Sequence, residues 1–128
     1  MRMRANHICL LLTLAAAQWP FAAAAAPSAQ ARLEIARLIA MLGDSKCQFQ
    51  RNGSWHDAAE ARAHLQRKYD YLLQNDKVDT PEEFIERAGS RSSLSGRPYR
   101  VRCGDNEQPA SAWFSHQLKG LRNPAVPR

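Results

Sequence analysis

Apolar residues recur every three or four positions in four stretches of this chain and alternate in two others. The pattern predicts four helices and a small sheet. Over residues 29–43, Ile35, Leu38, Ile39 and Leu42 fall on one helical stripe, with Ala31 a turn earlier and Arg32, Glu34 and Arg37 off it. Gly43 is placed to end that helix, because glycine tolerates the left-handed cap conformation. Beyond it, Cys47, Phe49 and Arg51 share one parity and Gln48 and Gln50 the other, a short strand. Asn52-Gly53 is a strong two-residue hairpin signal, since both positions take positive φ readily, and it puts Trp55 on a returning strand.

The next helix opens on a capping box, Asp57 to Glu60, and runs to about Leu73. Ala58, Ala61, Leu65, Tyr69 and Leu72 form its buried stripe. Glu60, His64 and Lys68, four apart, form a polar stripe at the rim of the core. Thr80-Pro81-Glu82-Glu83 starts a third helix with a Thr cap, a first-turn proline and a glutamate three residues on; Phe84, Ile85 and Ala88 give its apolar face and Gly89 ends it. Residues 90–96 lack an apolar period and hold only Leu94 to bury, which predicts an ordered loop between helix end and strand. Residues 98–103 alternate, with Tyr99, Val101 and Cys103 on one face and Arg100 and Arg102 on the other. Residues 104–109 read as a turn, and Ser111 as the cap of a last helix carrying Trp113, Phe114, Leu118 and Leu121. Residues 123–128, with two prolines, read as a tail. The expected fold is α+β: four helices packed with a small three-stranded antiparallel sheet.

The 128 residues suffice for one domain. Residues 1–25 have the form of a signal peptide, with Arg2 and Arg4 in a basic start, an apolar run from Ile8 to Ala17 and alanines at the end. The mature domain is then 26–128, periplasmic or secreted, with no stable membrane span once the leader is removed. Loss of Arg2 and Arg4 lowers the formal charge from +6 to +4, too small an excess for a nucleic-acid binder. Cys9 would leave with the leader. Cys47 and Cys103 would then form the one possible intramolecular disulfide, the alternatives being two buried thiols or half of a metal site. No Cys/His spacing supports a metal, and nothing in the chain calls for a cofactor.

Candidate chemistry concentrates in residues 90–103, where Arg91, Arg97, Arg100 and Arg102 face no acid within the segment. Such a cluster favours an anionic partner: an acidic protein cleft, a phosphate-bearing glycolipid or an acidic peptide. The bland alternative is a solvated strand edge. A binding or protein-interaction site would draw on Arg51, Asn52, His64, Lys68, Ser92, Ser93, Ser95, Arg97 and Tyr99, whose donors and ring suit a carboxylate, a phosphate or a sugar. A second reading is a small hydrolase in which His64, oriented by Glu60, activates a loop serine. Against it, no serine sits in a G-x-S-x-G elbow. A third is a structural or stress-related envelope protein whose polar loop is a well-capped connection. Glycosidase chemistry lacks a presented carboxylate pair, and redox catalysis lacks a C-x-x-C.

Four blocks in order carry a resemblance: Phe49-x-Arg51-Asn52-Gly53, Glu60-Ala61-x-x-His64-Leu65, Thr80-x-Glu82-x-Phe84-Ile85, and Ser90-x-Ser92-Ser93-x-x-Gly96-x-Pro98-Tyr99. Over about residues 32–121 the chain resembles the bacterial domain-of-unknown-function family 5329, of small exported proteins. The resemblance implies an exported bacterial protein of unassigned activity and supplies no catalytic residue.

Overall fold

The structure, a computed structural model, describes residues 17, 18 and 26–124. The leader-like segment therefore lies outside the described residues except at positions 17 and 18, as do the last four residues of the tail. Helix α1 (Ala29–Asp44) leads into a hairpin of β1 (Gln48–Arg51) and β2 (Ser54–His56), then α2 (Ala58–Gln74). A short α3 (Pro81–Phe84) continues as a π-helical turn, Ile85–Gly89. Strands β3 (Arg100–Cys103) and β4 (Asn106–Pro109) and helix α4 (Ala110–Arg122) complete the chain. The fold is α+β as expected, but the antiparallel sheet has four strands, in the order β2-β1-β3-β4.

Local side-chain chemistry sets the helix starts. Ser28, Asp57 and Thr80 each accept a hydrogen bond from the backbone N–H three residues on, relieving a helix-start donor that has no partner within the helix. The two boxes are not reciprocal: Glu60 bonds His56, and Glu83 accepts from the N–H of Asp79. Gly43 is not the cap of α1. It is helical and lies against α2, where an added Cβ would fall 2.6 Å from the Arg62 side chain. The helix instead ends through Ser45, whose N–H bonds the Leu42 carbonyl, while Lys46 takes the left-handed turn with φ 59°. Gly89 is also a close-approach position, since its Cβ would meet the Phe114 ring at 3.0 Å.

The hairpin forms as the Asn52-Gly53 signal requires, with φ of 49° and 82°, pairing Arg51 with Ser54 and Phe49 with His56. Strand β3 runs along the other side of β1, with Phe49 opposite Val101 and Gln48 opposite Arg102. One step further, Cys47 and Cys103 are bonded, their Cα atoms 4.4 Å apart. The fourth strand corrects the expected turn at 104–109. Only Gly104 and Asp105 turn, and Asn106–Pro109 pairs with β3 from Cys103 back to Arg100. This edge strand is almost wholly solvent-facing, so it carries no apolar alternation to betray it. Helix α4 starts at Ala110 rather than behind a Ser111 cap, and the Ala110 N–H donates to the Tyr99 carbonyl.

Strand β3 starts at Arg100 and not at 98, so Tyr99 precedes it. Phe49 and Val101 from the sheet, with Tyr99, meet Ile35, Leu38 and Leu42 of α1, Leu65 of α2, Phe84 and Phe114 in one continuous core. Leu94 is not part of it. That leucine is 99 % exposed, and the buried loop residue is Ser92, at 5 %.

The disulfide closes a separation of 56 residues, which in the chain-entropy treatment constrains the unfolded chain by about 4 kcal/mol. The Cys47→Ser/Cys103→Ser variant is expected to lose about 2–5 kcal/mol in urea unfolding. Denatured but unreduced mature protein should show no thiol reacting at either position; two reactive equivalents would refute the bridge.

Candidate functional site

Three elements converge beside the hairpin. The parity that points Cys47 and Phe49 toward the core also points Arg51 inward, at the end of β1. The four-residue spacing on α2 brings His64 and Lys68 to the same side. Tyr99, just before β3, lies between them, its ring 4.9 Å from that of Phe49 and only 1 % exposed. Together with Asn52, Ser92 and Ser93 these residues line a cavity of about 510 Å³, joined by Ser54, His56 and Leu94. The remaining two of the nine candidates stand at its edge. Ser95 donates its hydroxyl hydrogen to Asn52 Oδ1 at 2.7 Å, and the Arg97 guanidinium would be 3.6 Å from a Cβ on Gly53.

Hydrogen-bond valence sets the proton positions. Arg51 Nη1 is 2.6 Å from His64 Nδ1. A guanidinium only donates, so Nδ1 must accept and the imidazole proton must sit on Nε2. Nε2–H then donates to the Tyr99 hydroxyl at 3.2 Å, and Lys68 Nζ donates to the same oxygen at 3.2 Å. With both lone pairs of the phenol taken, its own hydrogen is left to point at a further acceptor. Lys68 also donates to the Arg91 carbonyl at 2.9 Å, tying α2 to the loop.

Electrostatics agrees with that assignment. Burial, then the charges of Arg51 and Lys68, lower the His64 pKa to about 4, so the ring is neutral at pH 7. Burial and the Arg51 charge lower Lys68 to about 8. Burial raises Tyr99 and keeps its hydroxyl protonated, against the opposing pull of Arg51. Among the described residues no carboxylate lines the cavity. Two cations and a phenol thus share a partly desolvated space with no anion, an arrangement suited to receiving one.

The loop itself is held by its serines. Ser92 Oγ accepts from the N–H groups of Leu94 and Ser95, its carbonyl accepts from Gly96 and its own N–H donates to the Arg97 carbonyl. That accounts for a buried serine beside an exposed leucine. The hydrolase geometry does not form: both His64 ring nitrogens are engaged by Arg51 and Tyr99, and Glu60 bonds His56 at 2.8 Å instead. The basic run also divides. Arg100 pairs with Glu107 at 2.6 Å and Arg102 lies over the Trp55 ring at 4.1 Å on the opposite sheet face, while Arg91 reaches Glu86 at 4.0 Å. Sequence reasoning overlooked His56 and Ser54, although a two-residue hairpin fixes both opposite Phe49 and Arg51. Among the described residues no group of His, Cys, Asp and Glu side chains forms a metal-binding set, and no helix is long and apolar enough to cross a membrane.

The fold and site define a small α+β protein with a disulfide-stapled sheet and a cation-lined cavity. The chain belongs to the family of unknown function DUF5329, whose model matches residues 29–122. It is 39 % identical over 70 residues to an uncharacterized protein, YfeK, of Salmonella typhimurium strain LT2, a match covering 52 % of this chain and 57 % of that one. The aligned part is thus little more than half of that relative's length. No solved structure matches the chain.

The His64 environment has a consequence for stability. Between pH about 4, its folded value, and about 6.5, the ordinary value, the unfolded chain binds the extra proton, so stability falls as pH drops through that window. His64→Gln should flatten that limb of the thermal midpoint against pH. Parallel profiles for the two proteins would show that His64 carries no such coupling.

Proposed function

We propose that the protein is an exported binding protein, periplasmic or secreted, whose cavity takes an anionic group such as a phosphate or carboxylate. The supporting observation is the donor set itself. Arg51, the remaining hydrogens of Lys68 and the Tyr99 hydroxyl hydrogen face about 510 Å³ of space with no acid among the described residues that line it. Charge-assisted bonds to an oxyanion from an arginine and an ammonium are stronger than neutral ones. The partial desolvation that lowers the Lys68 pKa increases what such an anion would gain there. His64 is a positioning residue in this reading: its neutral ring orients the Arg51 fork and directs the Tyr99 hydroxyl. Export is supported by the leader-like residues 1–25 and by a disulfide that persists in oxidising compartments.

The test uses inorganic phosphate against chloride at constant ionic strength, followed by calorimetry and by the thermal midpoint. Phosphate should bind and raise the midpoint by mass action. Arg51→Met and Lys68→Met should each weaken binding by about tenfold to a hundredfold, the loss of one charged hydrogen bond. Tyr99→Phe, which keeps the packed ring, should weaken it by about fivefold, a neutral donor's share. Affinity should also decline above pH about 8 as Lys68 loses its proton. Equal phosphate affinity in native protein and both charge variants would remove the reading.

A further inference from the structure

The residue that packing least explains is Leu94. It is the most exposed of the large apolar side chains among the described residues, yet it stands on a loop whose backbone is fully organised. Ser92 is buried to hold that tip, through bonds to Leu94 N, Ser95 N and Gly96 N. The Arg91–Pro98 bridge and the bond from Tyr99 N to the Ser90 carbonyl close its base. A chain that orders a loop this tightly presents Leu94 rather than merely failing to bury it. Tyr71 of α2, 57 % exposed, lies across a second hollow of about 510 Å³ lined by both residues together with Arg67, Lys68 and Arg87. Lys77 stands over the Tyr71 ring at 5.5 Å. Leu94 also lines the anion cavity, so apolar tip and cationic cavity are continuous.

We propose that this face docks on an anionic lipid surface, with Leu94 and Tyr71 entering the acyl boundary and lipid phosphates meeting the Arg51–Lys68 cavity. The proposal rests on the reading of that cavity as an anion site and names where the anion resides. A lipid surface fits better than an acidic protein for a reason of shape. Leu94 is a protrusion, and a protruding leucine needs an apolar phase that closes around it. Cations stand on both sides, Arg67 with Leu94 and Tyr71 and Arg97 over the Gly53 turn, as a charged plane requires. Of the nearby acids, Glu83 lies 3.7 Å from Arg87 and Glu86 4.0 Å from Arg91, while Asp70 accepts from the Gln66 amide. Tyrosine, with an apolar body and a polar end, suits the headgroup level.

The experiment is co-sedimentation of the mature protein with vesicles of phosphatidylcholine containing about one third phosphatidylglycerol, beside pure phosphatidylcholine vesicles. Binding should require the anionic lipid and fall several-fold between about 0.1 M and about 0.5 M salt. Leu94→Ser should weaken it about tenfold. Tyr71→Ser should weaken it about threefold while leaving the affinity for inorganic phosphate unchanged. Leu94 is exposed, so its substitution leaves the packed fold untouched. Phosphate binding without vesicle binding would overturn the proposal and leave the anion site standing, whereas loss of both would remove the two together. Vesicle binding indifferent to Leu94→Ser would overturn it as mere surface charge. Leu94-dependent binding of poly-glutamate with none to vesicles would overturn it in favour of a protein partner.

Discussion

The burial of Tyr99 is the constraint on which the rest of the structure turns. Its ring packs on Phe49, its N–H donates to the Ser90 carbonyl and its own carbonyl accepts from Ala110. One residue thereby joins the end of the π-helical turn, the sheet and the start of α4. A buried phenol needs partners for its hydroxyl, and α2 supplies them in His64 and Lys68. The cavity polarity follows from that need, because the groups that satisfy the phenol are donors and leave its hydrogen facing outward. Packing and site chemistry are two ends of one side chain.

Bringing Arg51 and Lys68 together without a carboxylate works against folding, since each charge loses water and repels the other. The lowered pKa of Lys68 records both effects. Neutral His64 relieves part of this by accepting from Arg51. The disulfide, which ties β1 to β3 one step from Gln48 and Arg102, supplies rigidity independent of the site. Such a division is expected where a small domain holds like charges close together: the stability that offsets their repulsion resides elsewhere in the fold.

Periodicity reports faces, and it is what brings Arg51, His64, Lys68 and Tyr99 to one side of the cavity, whereas Asn52 follows from the turn signal and Ser92 and Ser93 from the composition of the loop. Contacts made by chain reversal lay beyond it. Nothing local says that Arg51 would take His64, or that Glu60 would turn to His56. Strand β4 was illegible because its side chains are solvated and only its backbone pairs. Gly43 misled because glycine serves both a left-handed cap and a close helix approach, and only the neighbour, Arg62, distinguishes them. Leu94 and Ser92 exchanged places for a related reason. Apolar residues are buried on average, but a serine whose hydroxyl takes two backbone donors can replace an apolar anchor in a loop.

The arginines between Ser90 and Cys103 show why charge counted along a chain says little about charge in space. A strand sends alternate residues to opposite faces, so Arg100 and Arg102 pass to the outer face of the sheet and are absorbed there, by Glu107 in one case and by Gln48 and the Trp55 ring in the other. Arg97 lies in the loop over the hairpin turn, on the side of the cavity. The apparent basic patch is therefore two populations distinguished by their partners. Arg51, the cation that matters most to the cavity, comes from outside the run altogether, from a strand end nearly forty residues earlier. Its charge is left largely uncompensated, because among the described residues its one side-chain hydrogen bond goes to a neutral imidazole and not to a carboxylate.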